Sequence, residues 1–228
     1  MNCSPHHSTP TVFVLSWEDV LVPSAALAAR IGLQSTRTAF DAARALYQQD
    51  SYLQQAVRAI EDQAVELVRV ASRLGPVVVV SDHSTNYLDL VSAAFFPRLA
   101  LWLSNANIAA ARGERFRVED ICRAAVGATP TSRKAPSTLK QGQRILQFPE
   151  SGTLGLLSVS ASIADRFSCL KAMDVAPFLV PKCVHVPGGD ATDALGLEEF
   201  FAQLRTLQQY LATAAAHRNA FATSLVEA

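Results

Sequence analysis

Cysteine is scarce in this chain of 228 residues. It occurs at Cys3, Cys122, Cys169 and Cys183, far apart and with no Cys-x-x-Cys pair. That spacing excludes a disulfide framework and a zinc ribbon, and it favours a reducing compartment. A charge surplus is missing as well: Lys+Arg and Asp+Glu both number 20, for a formal net charge of zero. Nucleic acids and anionic membrane surfaces recruit proteins through a basic excess, so neither is an expected partner. No apolar run approaches the roughly 20 residues that a membrane-spanning helix needs. The opening MNCSPHHSTP carries neither the basic nor the apolar region of a signal peptide, and it lacks the arginine of a mitochondrial presequence. The expected location is cytoplasmic. What the chain does have is a 50% hydrophobic composition, enough for a large core without staples. Zero net charge gives little protection against association, which suits a subunit of a protein assembly.

The elements follow from periodicity and punctuation. Residues 1–10 are polar and read as a flexible tail. Val12 to Leu15 form a continuous apolar run, the pattern of a strand covered on both faces. Pro23 breaks the chain, and Ser24 is placed to cap an Ala-rich helix. In residues 51–75, Leu53, Val57, Ile60, Ala64, Leu67, Ala71 and Leu74 make one apolar stripe. Asp50 or Ser51 suits its start; Gly75, in the left-handed region, and Pro76 suit its end. Val77 to Val80 read as a central parallel strand, followed by a helix over 85–94 capped by Ser84 or Thr85. Residues 99–110 predict a strand, 117–126 a short helix and 127–138 a loop. Gly155 to Asp165 predict a strand and about 165–173 a helix. Residues 177–186 read as a final strand, with Pro181 favouring an edge. Leu197, Phe200, Phe201, Leu204, Leu207 and Leu211 define a last amphipathic helix.

Strands alternating with helices predict a doubly wound α/β fold with a mostly parallel sheet of about five strands. The expected organisation is one domain over 11–211, with a helical cap or insert at about 24–74 and a C-terminal extension at 212–228. Each strong strand ends in small polar or acidic residues: Ser16-Trp17-Glu18-Asp19, Ser81-Asp82-His83 and Ser160-Ala161-Ser162. In such sheets ligands bind beyond the carboxyl ends of the strands, so the three clusters should meet in one crevice. The plainer reading is that these residues cap the following helices.

From Leu15 to Ser24 the chain reads Leu-Ser-Trp-Glu-Asp-Val-Leu-Val-Pro-Ser. This segment resembles the first motif of the haloacid dehalogenase-like (HAD-like) phosphohydrolases, in their plant, algal and protist form. There the first strand ends in Asp-x-Asp-x-Thr/Val. The second motif, an apolar strand ending in Ser or Thr, is matched by Val77 to Ser81. The fourth, an apolar strand ending in acids, is matched in position by Leu156 to Ala161 and then Asp165. The third is a lysine, for which Lys134 and Lys140 are both candidates. The resemblance covers about residues 11 to 211 and implies a Rossmann-like HAD core with a cap.

It also implies a degenerate active site. In active members the first Asp attacks phosphorus and binds Mg²⁺; here Ser16 stands in its place, neither a carboxylate nor a good ligand for a hard cation. The second Asp protonates the leaving group; here it is Glu18, whose extra methylene moves the carboxyl by about 1.5 Å. Misplacement of about 1 Å can cost on the order of a hundredfold in rate. The first acid of the fourth motif is Ala161, which leaves Asp165 alone. The resemblance therefore implies no Mg²⁺ site, no other cofactor and no phosphatase chemistry, but a scaffold, regulatory or structural subunit that binds protein partners. The alternative is a working hydrolase on a small phosphoester or other small molecule with a shifted set of residues. A third reading is an anion sensor, with Ser81 and Lys134 or Lys140 holding phosphate at a helix N-terminus.

Other patterns carry less. Ser16 with His83 or His185 as base would make a serine nucleophile, but no Gly-x-Ser-x-Gly elbow surrounds it. Ser168-Cys169-Leu170-Lys171 fits Ser-x-x-Lys without the Lys-Thr-Gly that should follow. His6-His7 is an adjacent pair on a tail. Trp17 and the later cysteines read as core residues.

Overall fold

The computed structural model describes residues 10–105, 109–112, 153–188 and 195–225. Its centre is a six-stranded sheet. The strands are β1 (Thr11–Ser16), β2 (Val77–Ser81), β3 (Ala109–Arg112), β4 (Leu154–Ser160), β5 (Leu179–His185) and β6 (Phe221–Ser224). They lie in the order β3-β2-β1-β4-β5-β6, and every neighbouring pair is parallel. This is a doubly wound α/β fold. The order reverses between β1 and β4, where such sheets open a crevice at their carboxyl ends.

Period-two alternation splits the strands between two cores. Phe13, Leu15, Val77, Val79, Leu157, Val159 and Val184 face one layer of helices. Val12, Val14, Val78, Val80, Leu154, Leu156 and Cys183 face the other. All six residues of β1 are buried, as a strand covered on both faces requires.

The connection from β1 to β2 carries α1 (Ser24–Ile31), α2 (Arg37–Gln49) and α3 (Ser51–Leu74). Asp50 caps α3 by accepting from Leu53 N at 2.8 Å. The stripe from Leu53 to Ala71 is buried, but Leu74 is exposed at the fraying end. Helices α4 (Thr85–Phe95) and α5 (Pro97–Asn105) follow β2, and α6 (Ile163–Leu170) and α7 (Ala172–Val175) follow β4. Helix α8 (Leu197–Ala216) packs on α3 through Phe200, Leu204, Leu207 and Leu211.

Several expectations are corrected. Residues 99–105 are helical, and the strand starts only at Ala109, because Pro97 opens a helix where its missing N–H costs nothing. Ser24 does not cap α1; Asp19 Oδ1 reaches in to accept from Ala25 N at 2.9 Å. Gly75 is extended (φ 174) rather than left-handed. Glycine is needed there for space, since a Cβ would lie 2.0 Å from Thr11 O. The strand expected to run to Asp165 stops at Ser160, and Ser162 caps α6. β5 is not the last strand: the chain returns as β6, which pairs only from Lys182 onward and leaves Pro181 beyond the ladder. Residues 212–228 thus include the last turn of α8 and an edge strand; Tyr210, Ala215 and Phe221 pack on the core. The helix expected at 117–126 and the loop at 127–138 lie outside the described residues.

One interior feature escaped the sequence reading. Lys182 on β5 is fully buried, and its Nζ donates to Ala215 O at 2.6 Å. It serves as a C-terminal cap for α8 delivered from within the sheet. Burial pulls its pKa below the usual lysine value.

Candidate functional site

A crevice of about 780 Å³ opens at the carboxyl ends of β1, β2, β4 and β5. Ser16, Glu18, Asp19, Asp82, His83, Ser160, Ala161, Ser162, Asp165 and His185 are among the residues lining it. The three polar clusters that end β1, β2 and β4 do meet there.

The turn after β1 sets the first of these groups. Trp17 N donates to Val80 O at 2.6 Å, and Leu21 and Val22 donate back to Trp17 O. The Trp17 side chain goes into the core. Asp19 follows in the left-handed region (φ 53), held there by Asp19 N to Val22 O at 2.8 Å and by Gln203 Nε2 to Asp19 O at 3.0 Å. Gly188 closes over it with φ 123, where a Cβ would meet Asp19 Cβ at 2.9 Å. The strained residue thereby leaves Glu18 pointing across to β2.

Two strand-end serines then do the same job on either side of β1. Ser81 Oγ accepts from His83 N at 3.1 Å and donates in a very close contact to Glu18 Oε1. Ser160 Oγ accepts from Ser162 N at 2.9 Å and donates to Asp165 Oδ2 at 2.8 Å. Each hydroxyl accepts from the amide two residues on and spends its one proton on a carboxyl from another element or from the following helix. Ser16 Oγ joins the second pair, donating to the same Asp165 Oδ2 at 3.3 Å.

Burial governs the electrostatics. It pushes Glu18 up from 4.5 to about 7, against the lowering effect of the Ser81 hydrogen bond and with a small push from the Asp82 charge. Burial likewise raises Asp165, opposed by the Ser160 hydrogen bond. His83 is driven down by burial against the pull of Asp82. Its ring meets Tyr87 edge-on with centroids 4.5 Å apart.

The structure brings together Ser16, Glu18, Ser81, Ala161 and Asp165. Lys134 and Lys140 lie outside the described residues. Ser16 bonds to Asp165 rather than to a histidine, and His185 Nδ1 is buried with no hydrogen-bond partner. Ser168 and Lys171 do not line the crevice. The role of Ser160 as the anchor of Asp165 was missed; its place at a strand end was the available signal. Among the described residues no three His, Cys, Asp or Glu side chains are grouped to hold a metal ion, and no helix is long and apolar enough to cross a membrane. The donor set does not fit a HAD-type Mg²⁺ site. Such a site needs carboxylates where Ser16 and Ala161 stand, and Asp165 Oδ2 already accepts two hydroxyls. An anion at Ser81 would have to displace a carboxyl from its only proton.

No protein-family model matches this chain, and neither the curated proteins nor the solved structures contain a match to it.

Proposed function

We propose that this chain is a HAD-like protein without phosphohydrolase chemistry, acting as a scaffold, regulatory or structural subunit of a protein assembly. The observation that carries the reading is Ser16. It ends β1 where an attacking carboxylate would be needed, and its hydroxyl is turned to Asp165. Aspartyl-phosphate formation requires a carboxylate at that point. Charge neutralisation by a metal is worth several kcal/mol in such transition states, and the acids that would hold it are Ser16 and Ala161 here. What favours the HAD-like assignment is the placement of the motif residues at adjacent strand ends, in a sheet whose order reverses beside β1.

The purified protein should show no Mg²⁺-stimulated turnover of an aryl phosphate. The double change Ser16→Asp with Ala161→Asp should create Mg²⁺ binding measurable by calorimetry. Phosphatase activity in the unmodified protein that Ser16→Ala abolishes would refute the proposal. The partner half is tested by affinity purification with mass spectrometry; recovery of the chain alone at native expression counts against a subunit role.

One observation favours the alternative of a hydrolase with a shifted residue set. Glu18, at about 7, is matched to proton transfer at neutral pH. That reading requires turnover of a small-molecule ester that Glu18→Gln removes while Ser16→Ala leaves it intact.

A further inference from the structure

The molecule holds a second chemically competent pair, away from the crevice. Cys169 lies on the inner face of α6 and Cys183 on β5, both buried in the smaller of the two cores. Cys169 Sγ is 3.9 Å from Leu156 O, and Cys183 Sγ is 3.8 Å from Arg166 O. Arg166 and Cys169 are one helical turn apart, so the Cys183 sulfur sits under the same face of α6 that carries Cys169. Each thiol is directed at a backbone carbonyl, and both sulfurs lie in the seam between α6 and β5. The helix and the strand that carry the two cysteines pack directly together.

We propose that Cys169 and Cys183 are an oxidisable dithiol that forms a disulfide joining α6 to β5. The oxidant is a small disulfide of the glutathione class. The Cys183 thiolate attacks one sulfur of it, giving a mixed disulfide and expelling one small thiolate, which takes up the Cys183 proton. The Cys169 thiolate then attacks the Cys183 sulfur, and the second small thiol leaves with the Cys169 proton. Two electrons pass from the protein to the oxidant, and two small thiols result. The Cys169 hydrogen bond lowers the Cys183 pKa, burial opposes it, and the Arg166 charge helps. Cys183 is therefore the first nucleophile. Entry requires a local opening of α6, a helix of only 8 residues with Ile163 and Phe167 exposed on its outer side.

The bond has consequences for the crevice. Helix α6 presents Asp165 to it, and β5 ends in His185. Oxidation would fasten these two walls together by closing a loop of about 14 residues between the two sulfurs.

The test uses the full chain with Cys3→Ser and Cys122→Ser, which leaves only the pair. Incubated folded with glutathione disulfide, this protein should lose the mass of two hydrogens and resist alkylation. A peptide joining Cys169 to Cys183 should appear on digestion. Its melting temperature should rise by several degrees and return on reduction. Adding Cys169→Ala should trap the mixed disulfide on Cys183, with the mass gain of one glutathionyl group, and neither Cys169→Ala nor Cys183→Ala should lose the mass of two hydrogens. Stable mixed disulfides on both cysteines, or cross-linking seen only in denaturant, would overturn the proposal, as would unchanged mass in the folded protein.

Discussion

Replacing Glu18 by Gln isolates the largest electrostatic cost visible in the crevice. Burial raises the Glu18 pKa from 4.5 to about 7. The folded state therefore holds this proton more tightly than the unfolded chain does. Whatever stability the protonated carboxyl contributes is complete below pH 4.5 and is lost as the pH rises through 7. At about 1.36 kcal/mol per pH unit, the interval corresponds to a loss of about 3 kcal/mol. Glutamine keeps the shape and cannot ionise. Groups not coupled to Glu18 titrate alike in both proteins and drop out of the difference, which leaves the Glu18 carboxyl and its small coupling to Asp82. The assay is urea unfolding of the two proteins at half-unit steps from pH 4 to pH 9. Glu18→Gln should gain about 3 kcal/mol on wild type across that range, with most of the change between pH 5 and pH 7. A flat difference would mean that Glu18 is solvated, and an opposite slope would mean that a cation stabilises its ionised form; either refutes the burial argument.

Three further outcomes follow from the same geometry. Ser81→Ala removes the hydrogen bond that lowers the Glu18 pKa, so the pH at which stability is lost should move above 7 in the same unfolding series. Gly75→Ala puts a Cβ 2.0 Å from Thr11 O, against backbone that cannot yield without disturbing β1; thermal melts should show a loss of about 3 kcal/mol or more, among the larger single-site effects. Deleting residues 212–228 strips β6 and removes Ala215 O from the buried Lys182 Nζ, so the truncated chain should melt well below the full one, because an uncompensated buried charge costs about 3–5 kcal/mol.

The sheet was legible because its strands are two-sided. Val12 to Leu15, Val77 to Val80 and Leu154 to Leu157 are apolar without alternation, which happens when helices cover both faces. The ends of elements were less legible. Leu99 to Leu103 are apolar enough for a strand, and Pro97 tipped them into helix; no local pattern distinguishes the two for so short a run. β6 was invisible because four residues at an edge need no apolar run, and their burial alternates between half-buried and exposed. Lys182 was passed over for a related reason: a lysine in a strand reads as surface until the helix end that receives its ammonium is in place.

For the crevice, residue identity could be read from the chain but pairing could not. Ser16, Glu18, Ser81, Ala161 and Asp165 were marked by their places at or just after strand ends; Ser16, Glu18, Ala161 and Asp165 line one crevice, and Ser81 backs Glu18. Which hydroxyl serves which carboxyl depends on contacts across 63 residues for Ser81 and Glu18, and across 149 for Ser16 and Asp165. Those pairings bear on function more than the identities do. A carboxylate kept free at β1 could attack or bind a cation. A serine there, with its proton committed to Asp165, can do neither until that bond breaks. Breaking it would leave a buried carboxyl with one donor in place of two and push Asp165 further toward its neutral form. Neutral Asp165 is a poor metal ligand and a poor base. The arrangement thus resists recruitment to phosphoryl chemistry from both ends of the same hydrogen bond. For that reason the metal-binding test uses both Ser16→Asp and Ala161→Asp: together with Asp165 they supply three carboxylates, whose mutual repulsion the bound cation would offset.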